Sequence, residues 1–396
     1  MILTPMSEIA GRIVALQALL QQGDVEAAII RQNADLYYFT GTVQDAHLII
    51  PATGQPLFLV RRDVERALSQ SPIRPVASLK SMKELPPAVA SVCGASPAKR
   101  LGMELDVLPA NSYFLYQGMF PESRIVDVSH LIRQIRMIKS EWEIGMMRKA
   151  AELARVVADA VPFALREGIT ELELSAELEM AARKAGHLGL LRLRAFNMDM
   201  HFGHVLSGPE AAVPSYADAP TGGTGLSPAF GQGPGERRIG RSEVVSIDVM
   251  MNYNGYLNDQ TRNYSIGEPL PRIIEAYRTV QEMHALLREM ARPGVLTEDV
   301  YNRMVRHAEE SGWAKVFMGH GDARVSFIGH GVGLEVDEHP FVSKGRGMPL
   351  QEGMVFAFEP KIIIPDVGIA GLENTYLTTR DGVQSLNTAS EELTIL

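Results

Sequence analysis

Apolar residues recur at Ile9, Ile13, Leu16 and Leu20, a helical spacing that predicts a helix over residues 7–22, capped by Ser7 and stopped at Gly23. Short apolar runs follow at 27–30, 47–50 and 56–60, with the turn residues Pro51-Ala-Thr-Gly54 between them and a helical stretch at 62–70. Residues 1–135 therefore read as a small α/β domain. Past this point Met137-Ile-Lys-Ser-Glu141 opens a helix running toward Arg166, with Ser140 as cap and Glu143 completing a capping box. Thr170 caps a second helix over 171–185, and residues 192–199 read as a strand. Residues 209–240 are rich in glycine and proline and read as a long loop of the kind that carries function. Two strands, 244–251 and 255–266, then form a hairpin about Asn252-Tyr-Asn-Gly255. Helices at 271–290 and 297–311 precede strands at 326–336, 354–364 and 371–379. The second domain, 136–396, is thus α+β.

Bulk properties narrow the function classes. The chain has 396 residues, with 46% hydrophobic and 21% charged, the balance of a globular protein. A net charge of -9 argues against nucleic acid as a partner. Lys139, Arg148 and Lys149 alternate with Glu141, Glu143 and Glu152, which reads as a solvated helix face. No apolar run approaches the roughly 18–20 residues that span a bilayer, so no membrane partner is expected and the cytoplasm is the expected location. The single cysteine, Cys93, sits among apolar residues and reads as a buried thiol.

Five residues carry the candidate chemistry. Asp248 interrupts the apolar run Val244-Val-Ser-Ile-Asp-Val-Met, where a lone buried charge would be very costly. Asp259 lies on the other arm of the hairpin, and taken alone reads as an ion pair with Arg262. His330 stands between glycines in Gly329-His-Gly-Val-Gly333. Glu359 ends the apolar run Met354-Val-Phe-Ala-Phe, and Glu373 sits in Gly371-Leu-Glu-Asn374. Four carboxylates and one imidazole form an oxygen-rich set suited to Mn, Co, Fe or Zn, and several carboxylates invite two bridged ions.

The order Asp, Asp, His, Glu, Glu, with Asp259 eleven residues after Asp248, resembles the metal signature of the creatinase/prolidase/methionine aminopeptidase family. The strings Asp259-Gln-Thr-Arg262, Gly329-His-Gly-Val-Gly333 and Phe358-Glu-Pro360 agree, and Met137-Ile-Lys-Ser-Glu-Trp-Glu-Ile144 resembles the opening of the catalytic domain in its prolidase branch. The resemblance implies a creatinase-like N-terminal domain before a pita-bread domain. It implies two divalent metal ions, bridged by Asp259 and Glu373, with Asp248 completing one and His330 with Glu359 the other. It further implies a hydroxide between the ions as nucleophile, Glu359 as proton shuttle, a small peptide as substrate and a homodimer. The activity so implied is that of an Xaa-Pro dipeptidase or Xaa-Pro aminopeptidase.

The substrate positions depart from that pattern. Ser215 stands where a histidine is expected, Asp337 stands seven residues past His330 where another is expected, and Gly371 replaces an arginine. His204 and His339 are candidate catalytic substitutes, and His201, Ser215 and Asp337 are candidate substrate-binding residues. Arg192 and Arg194 read as partners in exposed ion pairs, the alternative being that they face a substrate carboxylate in the pocket. Two other readings compete with the peptidase: a C–N hydrolase or lyase acting on a small substrate with the same fold, and a non-catalytic binding module.

Overall fold

A computed structural model describes residues 1–94 and 98–396. Two compact units emerge, Met1–Arg136 and Met137–Leu396.

The first unit is built on a six-stranded mixed sheet. Its strands are β1 (Ala27–Ile30), β2 (Ala46–Pro51), β3 (Leu57–Val60), β4 (Val76–Ser78), β5 (Arg100–Met103) and β6 (Arg124–Asp127), in the order β4-β3-β2-β1-β5-β6. Every residue of β1 is buried, as its unbroken apolar sequence requires. Helix α1 (Met6–Gln22) buries Ile9, Ile13, Leu16 and Leu20, the four residues that predicted it. It starts one residue earlier than Ser7, after Pro5, and carries no side-chain cap. Cys93 is half-buried, and burial pushes its thiol pKa up.

The second unit layers two sheets. Helices α2 (Glu141–Ala164) and α3 (Glu171–Ala185) both begin with complete capping boxes, at Ser140–Glu143 and Thr170–Glu173. They pack on a sheet of β7 (Gly203–Ser207), β8 (Val244–Tyr253), β9 (Tyr256–Ser265) and β17 (Thr394–Ile395), ordered β17-β9-β8-β7. Val245, Ile247, Val249 and Met251 of β8 join the core beneath these helices. Each such side chain contributes on the order of 1.5–3 kcal/mol on burial. The intervening residues, Asp248 among them, therefore point to the opposite face. The β8–β9 turn has positive φ at both Asn254 and Gly255 (52° and 93°), the type I′ pattern that matches strand twist.

The other sheet runs β11-β10-β12-β15-β16, with β10 (Phe327–Val332), β11 (Val336–Ser343), β12 (Val355–Phe358), β15 (Asn374–Thr378) and β16 (Val383–Ser385). Helices α4 (Pro271–Met290) and α5 (Thr297–Glu310) supply Val280, Met283, Leu287, Val300 and Met304 to a core shared with Phe356, Phe358 and Tyr376.

Three expectations need correcting. The runs 354–364 and 371–379 are not single strands. Each breaks once, so that β12 pairs with β15 while β13 (Lys361–Ile364) pairs with β14 (Gly368–Gly371) as a separate hairpin. Pro360 has no N–H for the ladder, which enforces the break. Residues 192–199 form no strand; Leu193 makes only one bridge, to Val336. Lys139 is not solvated, being buried and ion-paired with Glu338 at 3.1 Å.

Gly329 and Gly331 let β10 lie close between its neighbours, since a Cβ on either would collide with a backbone carbonyl, of Ala357 or of His339. Gly331→Ala is expected to destabilise the second unit by on the order of 1–3 kcal/mol. At about 2–4 °C per kcal/mol, calorimetry should record a clear drop in melting temperature, and an unchanged midpoint would show that β10 and β11 can separate freely.

Candidate metal centre and cavity

The site lies between the two sheets of the second unit. From one side come Asp248 and Asp259. In the β8–β9 register Asp248 pairs with Thr261 and Met250 with Asp259, so both aspartates share a face. From the other side come His330 on β10 and two glutamates at the strand breaks, Glu359 after β12 and Glu373 before β15. The interruption of the long hairpin thus coincides with its two ligand-type residues.

Each side chain is braced. Thr261 donates to Glu373 Oε2 at 2.7 Å, and Arg262 donates to the Glu373 carbonyl at 2.7 Å and to Asn374 Oδ1 at 2.7 Å. Arg262 therefore holds the Glu373 segment and makes no ion pair with Asp259, which corrects that simpler reading. Asp259 N donates to Thr375 Oγ1, which donates back to the Asp259 carbonyl. His330 Nδ1 faces the Gly331 carbonyl at 3.3 Å and Asp337 Oδ1 at 3.4 Å. Its Nε2 is thereby turned to the interior, 3.8 Å from Asp259 Oδ2 and 3.6 Å from Glu359 Oε1.

Donor atoms of Asp259, His330 and Glu373 all lie within 4.8 Å of one another, and all three residues are buried. Asp259 Oδ1 is buried without a hydrogen-bond partner. A carboxylate with one orphaned oxygen, grouped with an imidazole and a second carboxylate, fits a divalent cation. Electrostatics agree. Burial and then the charges of Glu373, Asp248 and Glu359 push the Asp259 pKa well up, while burial, followed by Asp248, lifts that of Glu373 to about 8. Crowded carboxylates of this kind call for positive charge among them.

Part of that charge comes from a residue the sequence reading missed. Lys361 Nζ lies 2.7 Å from Asp248 Oδ2, 2.7 Å from Glu359 Oε2 and 3.7 Å from Glu373 Oε2. Burial lowers the lysine pKa, but Asp248, Glu359 and Glu373 outweigh that and hold it well above the usual range. For Asp248 the opposing burial is overcome by Lys361 and His204, so its carboxyl falls below the usual value. A signal was present, because Lys361 stands two residues beyond Glu359 at the head of an apolar run.

A cavity of about 130 Å³ opens onto this cluster. Its lining includes His201, His204, Asp337 and Lys361, together with Asp248, Asp259, His330, Glu359 and Glu373. His204 is the cross-strand partner of Asp248, and its ring lies 5.2 Å from that of His201. Burial lowers the His204 pKa to about 4 and lowers that of His201. The glycine- and proline-rich loop forms one wall through residues such as Asp218, Pro220 and Gln232. Ser215 is not on that lining; it donates to Gln232 Oε1 at 3.1 Å and accepts from Ala217 N, bracing the wall from behind. His339 is not on the lining either, and its ring meets Phe341 edge-on. Arg194 is not exposed: its side chain is buried and lies 3.7 Å from Glu335.

Residues 145–380 match metallopeptidase family M24, and residues 12–138 match the creatinase/prolidase N-terminal domain. The chain belongs to metallopeptidase family M24. It is 29% identical to an Xaa-Pro dipeptidase of Pyrococcus horikoshii over 379 residues, covering 94% of this chain and 96% of that one. It is 28% identical to a probable dipeptidase PepE of Mycobacterium tuberculosis, covering 98% and 96%. Among solved structures, the prolidase from Pyrococcus horikoshii OT3 superposes with a TM-score of 0.81 at 28% identity, over 97% of this chain and 99% of that one. An Xaa-Pro dipeptidase from Bacillus anthracis shares the fold with a TM-score of 0.84 at 24% identity, over 98% and 100%. As a family member the chain is a metallopeptidase, built of the creatinase-type and pita-bread domains that the sequence implied. No helix among the described residues is long and apolar enough to cross a membrane.

Beneath the site, His284 Nε2 donates to the Leu372 carbonyl and Nδ1 accepts from Tyr376 Oη, both at 2.9 Å, which fixes the strand break next to Glu373. Burial lowers its pKa to about 3. The folded value lies below the ordinary 6.5, so protons favour the unfolded chain. The stability this neutral histidine provides is full above about pH 6.5 and declines as pH falls toward 3. The margin of the native protein over His284→Gln, on the order of 1–3 kcal/mol near neutral pH, should therefore shrink on acidification. Denaturant titrations at a series of pH values would show this; a constant margin would contradict a neutral buried imidazole.

Proposed function

We propose that this metallopeptidase cleaves short peptides with proline after the scissile bond, using a divalent cation held by Asp259, His330, Glu359 and Glu373. The supporting observation is the convergence of the Asp259, His330 and Glu373 ligand atoms on the cavity, with Glu359 Oε1 3.6 Å from His330 Nε2 and one Asp259 oxygen buried without a partner. The substrate class rests on relatives named Xaa-Pro dipeptidase that span nearly the whole chain. An oxygen-rich set with one imidazole suits manganese or cobalt better than a thiolate-loving ion.

When bound, the cation polarises the peptide carbonyl and lowers the pKa of water toward neutrality. The chain's own groups do the rest. Glu359 lies against both His330 and Lys361 and is placed to take the proton of the attacking water and pass it to the leaving amine. Asp337 fixes the His330 ring through Nδ1, a positioning role in place of direct substrate binding. His204, held neutral, is placed to donate a hydrogen bond to the carbonyl oxygen as charge develops there. His201 lies beside it, edge-on to Phe230 at 5.0 Å, and shapes the pocket for the substrate ring.

Chelation should abolish hydrolysis of Xaa-Pro and Xaa-Pro-Yaa peptides, and added Mn²⁺ should restore it. Glu359→Gln should lower kcat by about 10²–10⁴-fold with an unchanged circular dichroism spectrum. Which peptide length turns over faster separates a dipeptidase from an aminopeptidase. Loss of no more than a few-fold would remove Glu359 from the proton path, and no peptide turnover by cation-loaded enzyme would reject the substrate class.

A further inference from the structure

The ligand set at Asp248 does not fit a free cation as the set at Asp259 does. A cation shared by Asp248 and Glu373 would sit between their inward oxygens, at roughly 2.0–2.2 Å from each. That space is where the Lys361 ammonium lies, donating to Asp248 and Glu359 and facing Glu373.

The surrounding backbone is shaped for this lysine. Lys361 and Gly371 are cross-strand partners in the β13–β14 hairpin. A Cβ at position 371 would stand 3.0 Å from Lys361 Cγ, so glycine leaves the lane that the lysine stem follows. The side chain is buried along that lane, and the strand break at Pro360 aims it at the carboxylates. A long side chain so enclosed loses its rotamer freedom, so its position belongs to the fold.

We propose that Lys361 substitutes for one cation of the pair that the ligand order implies, giving a centre with one divalent ion at Asp259, His330, Glu359 and Glu373 and a tethered ammonium at Asp248. The inference rests on the metal-centre reading given above and specifies its composition. It also assigns Lys361 as a site residue: its Nζ holds Asp248 and one oxygen of Glu359, leaving the other Glu359 oxygen toward His330. The fixed charge replaces electrostatic neutralisation but not coordination, since a lysine ammonium has three donors and no vacant ligand position.

The test is metal counting on the full chain, with no dependence on activity. The wild-type protein, stripped of metal and titrated with Mn²⁺, should bind one ion per chain by elemental analysis and calorimetry. Its electron paramagnetic resonance spectrum should be the six-line pattern of an isolated Mn²⁺. Lys361→Met, which keeps the length of the side chain and removes the charge, should gain a second ion and show a spin-coupled spectrum. Two coupled ions in the wild type would overturn the substitution while leaving the metallopeptidase reading intact. A Lys361→Met protein that is folded by circular dichroism yet still takes one ion would overturn the role of the lysine. No ion bound by the wild type would overturn both readings. The wild-type count decides the question by itself if the variant does not fold.

Discussion

Four carboxylates meeting out of water around one ammonium are the constraint on which the second unit is organised. An isolated buried carboxylate is so costly that it normally takes up a proton instead. Asp259 and Glu373 are under that pressure, and their raised pKa values express it. Relief comes only from positive charge placed within bonding distance, and every element near the site contributes to the placement. The type I′ turn sets the β8–β9 register that brings two aspartates to one face. The paired strand breaks at Glu359-Pro360 and Leu372-Glu373 turn two glutamates inward from the opposite sheet. Arg262 and His284 tie down the backbone of the second break, and Thr261 holds the Glu373 carboxylate. A site of this charge density would spread apart if its frame were loose, so the bracing belongs to the electrostatics as much as to the packing.

Legibility in the sequence followed the range of the interaction. An unbroken apolar run exposed Asp248 as the charge that interrupts it, helical spacing gave α1, and spacing with capping residues gave α2 and α3. The breaks in 354–364 and 371–379 were not legible as two hairpins, because an apolar run reads the same whether its ladder continues or stops. Only Pro360, lacking an N–H, marked the change. The fold of the glycine- and proline-rich segment was out of reach for a different reason. Its shape depends on ties such as Gly235 N to Glu171 Oε2 and Gly233 N to the Gly222 carbonyl, none of which leaves a periodic trace.

Lys361 is the instructive omission. Residues two apart on an extended chain share a face, so Glu359 and Lys361 were readable as neighbours, and a lysine ahead of Ile-Ile-Ile is as anomalous as the aspartate in β8. Attention to groups that bind cations passed over a group that is one. Asp337, expected to touch substrate, lines the cavity and also faces Nδ1 of His330, a contact that the spacing alone did not reveal.

A tethered ammonium and a bound divalent ion are unequal solutions to the same crowding. The ion carries twice the charge and open coordination positions, but it can be lost and must be recruited. The ammonium is supplied by the fold and cannot dissociate, yet it neutralises one charge and activates no water. With the ammonium at Asp248, water activation falls to the Asp259–His330 side alone. Glu359 then connects the halves, one oxygen held by Lys361 at 2.7 Å and the other 3.6 Å from His330. The lysine thus fixes the orientation of the carboxylate that spans the two halves.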